Sequence, residues 1–196
     1  MEQISQAFLT FIDSWGYLAV AVLMAMENAC IPVPSELILG FAGYLVSAGR
    51  MTFTGAMIAG MVGGMAGSIF AYVVGATGGR KFVDRYGKYF LIRKEHVDLA
   101  QNWFDKYGIR AVFFSRMLPV VRTFISLPAG FARVKFAAFL FYTFAGSLPW
   151  TALILYAGLL LGDNWEYLLE LGHKFSAAFI FVSVVIIAWL YFRKKK

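Results

Sequence analysis

The chain has 196 residues, 60% of them hydrophobic, with a mean hydropathy of +0.69, which places it among integral membrane proteins and excludes an ordinary soluble domain. The net charge of +7 does not point to nucleic acid, because the basic residues gather beside apolar segments, where they set topology and meet anionic head groups. The single cysteine, Cys30, excludes an intramolecular disulfide, and residues 1–14 carry Glu2 and Asp13 but no basic residue, so no secretory n-region is expected.

Residues 3–12 are predicted to form a short amphipathic helix, with Ile4, Phe8, Phe11 and Trp15 at helical spacing, suited to the membrane interface. Residues 15–30 are apolar but span only about 24 Å as a helix, short for a hydrocarbon core of about 30 Å. Residues 37–47 are shorter still. Between them lie Glu27, Pro32, Pro34 and Glu36. Proline breaks a helix, and lipid tolerates the freed backbone only where protein or a water-filled cavity covers it. The two segments are therefore read as arms of a re-entrant hairpin folded at Pro32 and Pro34. The alternative is one ordinary spanning helix followed by a loop.

Residues 52–79 carry no charge and are long enough to span. Gly60/Gly64 and Gly63/Gly67 are GxxxG pairs, packing devices within one chain or between copies of a homo-oligomer. Residues 80–110 hold eight basic residues against four acids and are expected to be cytoplasmic. Within them Val97, Ala100, Phe104 and Tyr107 mark a second amphipathic helix. His96 has no second histidine or cysteine at metal spacing, so no metal or other cofactor is expected. Residues 109–131 are apolar but interrupted by Arg116, Pro119, Arg122 and Pro128, and read as a second broken hairpin. Residues 136–161 span, with Pro149 as a kink; residues 162–174 form an acidic outer loop; residues 175–192 span again; a basic tail closes the chain on the cytoplasmic side. No strand pattern competes with this all-α reading.

The sequence repeats itself. Residues 13–20 match 105–112 as D-x-[WY]-G-x-x-A-V, residues 49–53 match 132–136 as [GA]-R-[MV]-x-F, and Ala66-Gly67-Ser68 recurs as Ala145-Gly146-Ser147, at offsets of 92, 83 and 79. Each copy holds an amphipathic helix, a hairpin that returns to its own side and one span, so the second copy is inverted. Such inverted repeats with broken helices are the architecture of secondary transporters. The whole chain is read as a single membrane domain: first repeat 1–79, cytoplasmic linker 80–93, inverted repeat 94–161, then outer loop, last transmembrane helix and tail over 162–196. The N-terminus is expected outside.

A charge at membrane depth is a functional hypothesis by default. On unbroken helices Glu27 and Glu36 would lie about 180° apart and Arg116 and Arg122 about 120° apart. The prolines break that geometry, so two carboxylates can face two guanidiniums, each pair offsetting the other's desolvation. Arginine grips phosphate with a planar fork of donors. A glutamate at that depth can take up and release a proton. Arg116 and Arg122 are thus the candidate phosphate grip, Glu27 and Glu36 the candidate proton-coupling and ion-pairing groups, and Pro32, Pro34 and Pro119 the hairpin breaks. A static ion-pair network holding the hairpins together is the competing reading.

At these residues the chain resembles the DedA family, also called SNARE-associated or VTT domain. Glu27, the Pro32-x-Pro34-Ser35-Glu36 segment, Phe113-Phe114-Ser115-Arg116-x-x-Pro119-x-x-Arg122-Thr123 and Pro128-Ala129-Gly130 carry the resemblance, which covers roughly residues 5–190. It implies two opposed re-entrant hairpins plus transmembrane helices, and it implies the movement of lipids between leaflets. Bacterial members include translocases of undecaprenyl phosphate and proteins linked to phosphatidylethanolamine distribution and the proton motive force. The family's essential acidic and arginine pairs carry over to Glu27, Glu36, Arg116 and Arg122, although some relatives have aspartate where this chain has Glu36. The expected function is proton-coupled flipping of undecaprenyl phosphate in the cytoplasmic membrane. The alternatives are a phosphatidylethanolamine or general phospholipid flippase or scramblase, and a proton-dependent small-ion antiporter. An enzyme is not expected: His96 and His173 sit in polar loops, and Ser35, Ser115 and Ser126 have no histidine base nearby in sequence.

Overall fold

A computed structural model describes residues 10–31, 33–90, 102–118, 121–164 and 167, with side chains described except at 79–90 and 163. The labelled helices, in chain order, are α1 (Tyr17–Asn28), α2 (Ser35–Ser47), α3 (Phe53–Phe90), α4 (Arg110–Arg116), α5 (Val121–Phe124), α6 (Ser126–Phe131) and α7 (Phe136–Leu161), followed by a 3-10 turn at Gly162–Asn164. Helical turns at 10–15 and 102–107 precede α1 and α4. No strand occurs among the described residues. The remainder of the two expected amphipathic helices, and everything expected beyond the outer loop, lie outside the described residues.

Among the described residues two stretches are long and apolar enough to cross a bilayer, Phe53–Gly78 and Phe136–Leu161, each of 26 residues. At about 1.5 Å per residue each exceeds the hydrocarbon thickness. α1 and α2, with 12 and 13 residues, are too short to cross alone. α7 starts and ends where hydropathy places it and continues through Pro149. α3 overruns its expected end. The helix does not stop at Gly79 but continues to Phe90, so the first part of the stretch read as a linker is helical. Gly78 and Gly79 lower helix propensity without breaking it, and no proline follows to do so.

The helices end in recurring turns. Gly16 and Gly108 both take positive φ, 55° and 68°, and their amides close on Ile12 O and Phe104 O at 2.8 Å. These are the glycines of the first repeat match. α1, α2 and α6 each stop in a Schellman turn, whose paired bonds are Ile31 N–H to Met26 O with Cys30 N–H to Glu27 O, Arg50 N–H to Leu45 O with Gly49 N–H to Val46 O, and Val134 N–H to Ala129 O with Arg133 N–H to Gly130 O. The left-handed residue is glycine only in the second. Cys30 (φ 68°) and Arg133 (φ 47°) occupy it in the others.

Packing is reciprocal. α1 lies against α3 and α4 against α7, while α2 crosses to α7 and α6 crosses to α3. Backbones touch at each crossing. A Cβ on Gly63 would sit 2.0 Å from Ala21 O, and one on Gly146 2.9 Å from Phe113 O. Gly75 meets Leu127 O and Gly158 meets Gly40 O, at 2.5 and 2.3 Å from an added Cβ. Gly130 meets Tyr72 O and Ala76 N, and Gly43 meets Leu155 O and Leu159 N. An offset of 83 relates every α3 position here to its α7 counterpart. It pairs Gly63, not Gly67, with Gly146. Two apolar clusters fill the spaces: one around Val20, Leu23, Ile38, Leu39 and Leu155, the other around Tyr72, Val112, Ala129 and Phe139.

Candidate functional site

The site is where helix ends meet. α1 delivers Glu27 and Asn28 from its last turn, because the left-handed turn at Cys30 stops the helix just beyond them. α4 ends on Arg116, the short α5 carries Arg122, and α6 opens with Ser126. α3 contributes Ser68 and α7 contributes Trp150.

Arg122 donates from Nη2 to both oxygens of Glu27, at 2.8 Å each, and each side chain is only 4% exposed. Its guanidinium carbon lies 5.3 Å from the centroid of the Trp150 ring, within cation–π range. Asn28 connects this pair to the second arginine. Its Nδ2 donates to Glu27 Oε2 at 3.2 Å and to Met24 O at 3.0 Å, and its Oδ1 accepts from Arg116 Nη1 at 2.8 Å. Those three neighbours leave one orientation of the amide. Arg116 Nη2 donates to Ser68 Oγ at 2.9 Å and to Ser126 Oγ at 2.6 Å. Ser68 donates on to Gly64 O at 2.7 Å.

This is not the two-against-two arrangement expected from the sequence. Arg116 is 1% exposed, yet no carboxylate lies within ion-pair distance of it among the described residues. Neutral oxygens hold it. Glu36, in the first turn of α2, is half-buried and meets the Ser35 hydroxyl at 3.5 Å; no cation pairs with it among the described residues. Pro34 is the N-cap of α2, its carbonyl accepting from Leu37 N–H at 3.1 Å. Pro32 and Pro119 lie outside the described residues, as do His96 and His173. No group of three or more His, Cys, Asp or Glu side chains that could hold a metal ion occurs among the described residues.

The ionic core therefore holds two guanidiniums and one engaged carboxylate. A buried ion costs several kcal/mol of desolvation unless paired and hydrogen-bonded, on the order of what a buried pair returns. Arg122 meets the pairing condition, whereas Arg116 has hydrogen bonds at Nη1 and Nη2 but no paired carboxylate among the described residues. Sequence reasoning missed Asn28, Ser68, Ser126 as a partner, and Trp150. Asn28 adjoins Glu27 and Ser68 sits in the repeated Ala-Gly-Ser, which is all the signal they carry.

Short broken helices that bring a buried charged cluster between two bilayer-length helices define an integral membrane protein with an internal polar site. The VTT domain family matches residues 33–160. The chain belongs to that family, the one its proline and arginine motifs resemble. It is similar to undecaprenyl phosphate transporter A of Bacillus subtilis (strain 168), 42% identical over 196 residues, which are 100% of this chain and 96% of that one. The protein of the same name from Staphylococcus aureus (strain NCTC 8325 / PS 47) is 32% identical over 98% of this chain and 94% of its own. An alkaline phosphatase-like protein of Lactococcus lactis subsp. lactis (strain IL1403) is 33% identical over 97% of this chain and 92% of its own. No solved structure matches the chain.

Proposed function

We propose that the chain translocates undecaprenyl phosphate across the cytoplasmic membrane, with Arg122 and Arg116 receiving the phosphate and Glu27 and Glu36 handling protons. One observation carries the reading: among the described residues, a buried site with two guanidiniums has a single carboxylate engaged with them. Such a site is one negative charge short, and a phosphate supplies it. Arg122 is the exchangeable grip, because Glu27 occupies its donors as a phosphate oxygen would. Phosphate arriving at Arg122 frees Glu27, which then takes a proton rather than remain a buried bare anion. Glu36, without a described cation, is the second proton carrier. The names of the two transporter relatives agree with this substrate.

Hydrolysis fits less well. The Ser68 and Ser126 hydroxyls beside Arg116 accept from its guanidinium, and no described side chain stands by as their base. The reciprocal packing of α1–α3 with α4–α7, and of α2–α7 with α6–α3, supports two inverted halves, each with a re-entrant hairpin. Residues 80–110 and the C-terminus are then cytoplasmic and the N-terminus outside.

The test is reconstitution in proteoliposomes with labelled undecaprenyl phosphate, phosphatidylethanolamine and phosphatidylglycerol, with and without a pH gradient. Undecaprenyl phosphate is expected to move fastest and to respond to the gradient. Equal rates for all three lipids would make the protein a general scramblase. Indifference to the gradient would remove the proton step, and release of inorganic phosphate would replace transport by hydrolysis.

A further inference from the structure

We propose that Thr143 and Trp150 of α7 donate hydrogen bonds to the bound phosphate and select a phosphate monoester over a phosphodiester. The inference rests on the reading of this site as a lipid-phosphate site and names the residues that set its specificity.

Three buried side-chain polar atoms lack a hydrogen-bond partner among the described residues: Arg116 Nε, Thr143 Oγ1 and Trp150 Nε1. Each carries a hydrogen to donate. Leaving a buried donor unmet is destabilising, so Arg116 Nε and Trp150 Nε1 at the charged cluster, with Thr143 Oγ1 on the same helix face, call for an acceptor. A phosphate offers acceptors alone.

Their placement is shared. Thr143, Gly146 and Trp150 follow the i, i+3, i+7 pattern of one helix face. Gly146 is where the Arg116 side chain crosses that face, since a Cβ there would come within 2.8 Å of Arg116 Cβ. The Trp150 ring lies against the Arg122 guanidinium. The face of α7 that meets both arginines therefore carries two of the three unmet donors, and Arg116 itself carries the third.

Comparison with α3 shows why this face is special. The same 83-residue offset relates Thr143, Gly146 and Trp150 to Gly60, Gly63 and Gly67. On α3 the last two are pressed against Ala21 O and Ala25 O of α1. α1 runs on to Asn28, whereas α4 stops at Arg116, level with Met24 by the 92-residue offset. On α7 only the middle glycine remains, under Arg116. Where α1 would have covered the helix, α7 has Trp150 instead, with the Arg122 side chain folded over it. One half is closed backbone to backbone, and the other ends early and leaves donors facing the arginines.

The donors set the ligand. A phosphate monoester has three terminal oxygens and a phosphodiester has two. Arg122, Arg116 Nε, Trp150 Nε1 and Thr143 Oγ1 together serve the former better.

The test uses the purified full chain in detergent, with farnesyl phosphate as the monoester probe and phosphatidylglycerol as the diester. Trp150→Phe keeps a ring against Arg122 and removes the N–H. Thr143→Val keeps the shape and removes the hydroxyl. Each variant is expected to melt at or above the wild-type temperature without ligand, because an unmet donor has gone. Each should bind farnesyl phosphate about tenfold or more weakly, the loss of one charge-assisted bond, while phosphatidylglycerol affinity changes less. Monoester affinity within about twofold of wild type in both variants would overturn the inference while leaving the phosphate site intact. If Trp150→Phe disturbs folding, Thr143→Val decides alone. Wild-type protein that fails to bind farnesyl phosphate would overturn the phosphate reading itself.

Discussion

Glu27→Gln separates competition from support at Arg122. The carboxylate makes two 2.8 Å contacts to one guanidinium nitrogen, and both partners are 4% exposed. Removing one member of a buried pair costs about 3–5 kcal/mol, because the other is left uncompensated. The glutamine carbonyl still accepts one bond and returns about 1–1.5 kcal/mol. The ligand-free variant should therefore be about 2–3 kcal/mol less stable than wild type. Phosphate must break those same contacts in the wild-type protein to reach Arg122. In the variant that work is already done, so the sum lost from stability reappears as affinity, about 30- to 150-fold tighter binding. The assay is melting of detergent-solubilised protein over a titration of farnesyl phosphate, comparing wild type, Glu27→Gln and Arg122→Ala. Translocation by Glu27→Gln should be lost, because the bound lipid has no carboxylate to expel it. If Glu27→Gln instead weakens binding as Arg122→Ala does, Glu27 supports the ligand and the exchange is wrong.

Gly63→Ala should destabilise by about 1–3 kcal/mol, since its Cβ would overlap Ala21 O, whereas Gly64→Ala, 3.4 Å from Asn28 Nδ2, should be near neutral; thermal melting of both variants compares the two glycines directly. Arg133→Gly should raise stability by about 1 kcal/mol by relieving a left-handed backbone at an exposed position, read as a higher melting temperature. Ser126→Ala should cost about 1–3 kcal/mol, because it removes one of the neutral acceptors that hold the buried Arg116, checked by the same melt.

Hydropathy made the long apolar helices legible: residues 136–161 are helical over the whole expected range, because an uncharged run of that length has one stable form in lipid. The overrun of α3 was not legible, since no residue after Gly79 compels a helix to end. The matched glycines Gly16 and Gly108 mark the same kind of turn at both positions, because a left-handed residue after a short helix selects glycine. Cys30 gave no such signal, and the prolines stood out in its place as the break after α1. The Ala-Gly-Ser match was off by one helical turn: small residues recur at that spacing along packing faces, so such a match fixes the face but not the register. At the site, the charged residues stood out in apolar surroundings, and Glu27 with Arg122 is the pair that forms. Arg116 was harder to read because its partners, Asn28, Ser68 and Ser126, are neutral. A neutral polar side chain in an apolar helix is common and carries no sign by which to match it to a cation. Trp150 reads as any aromatic in a span, because its distinguishing feature, the Arg122 guanidinium against its ring, comes from a residue 28 positions away in sequence.

The most direct measurement is the initial rate of labelled undecaprenyl phosphate movement between leaflets of proteoliposomes, for wild type, Arg122→Ala and Glu36→Gln, with folding of each confirmed by its melt. Wild type should translocate, and both variants should fall to the rate of protein-free vesicles while remaining folded. Wild-type-like rates in both would contradict the account, leaving the buried arginines and carboxylates as a device that only holds the helices together.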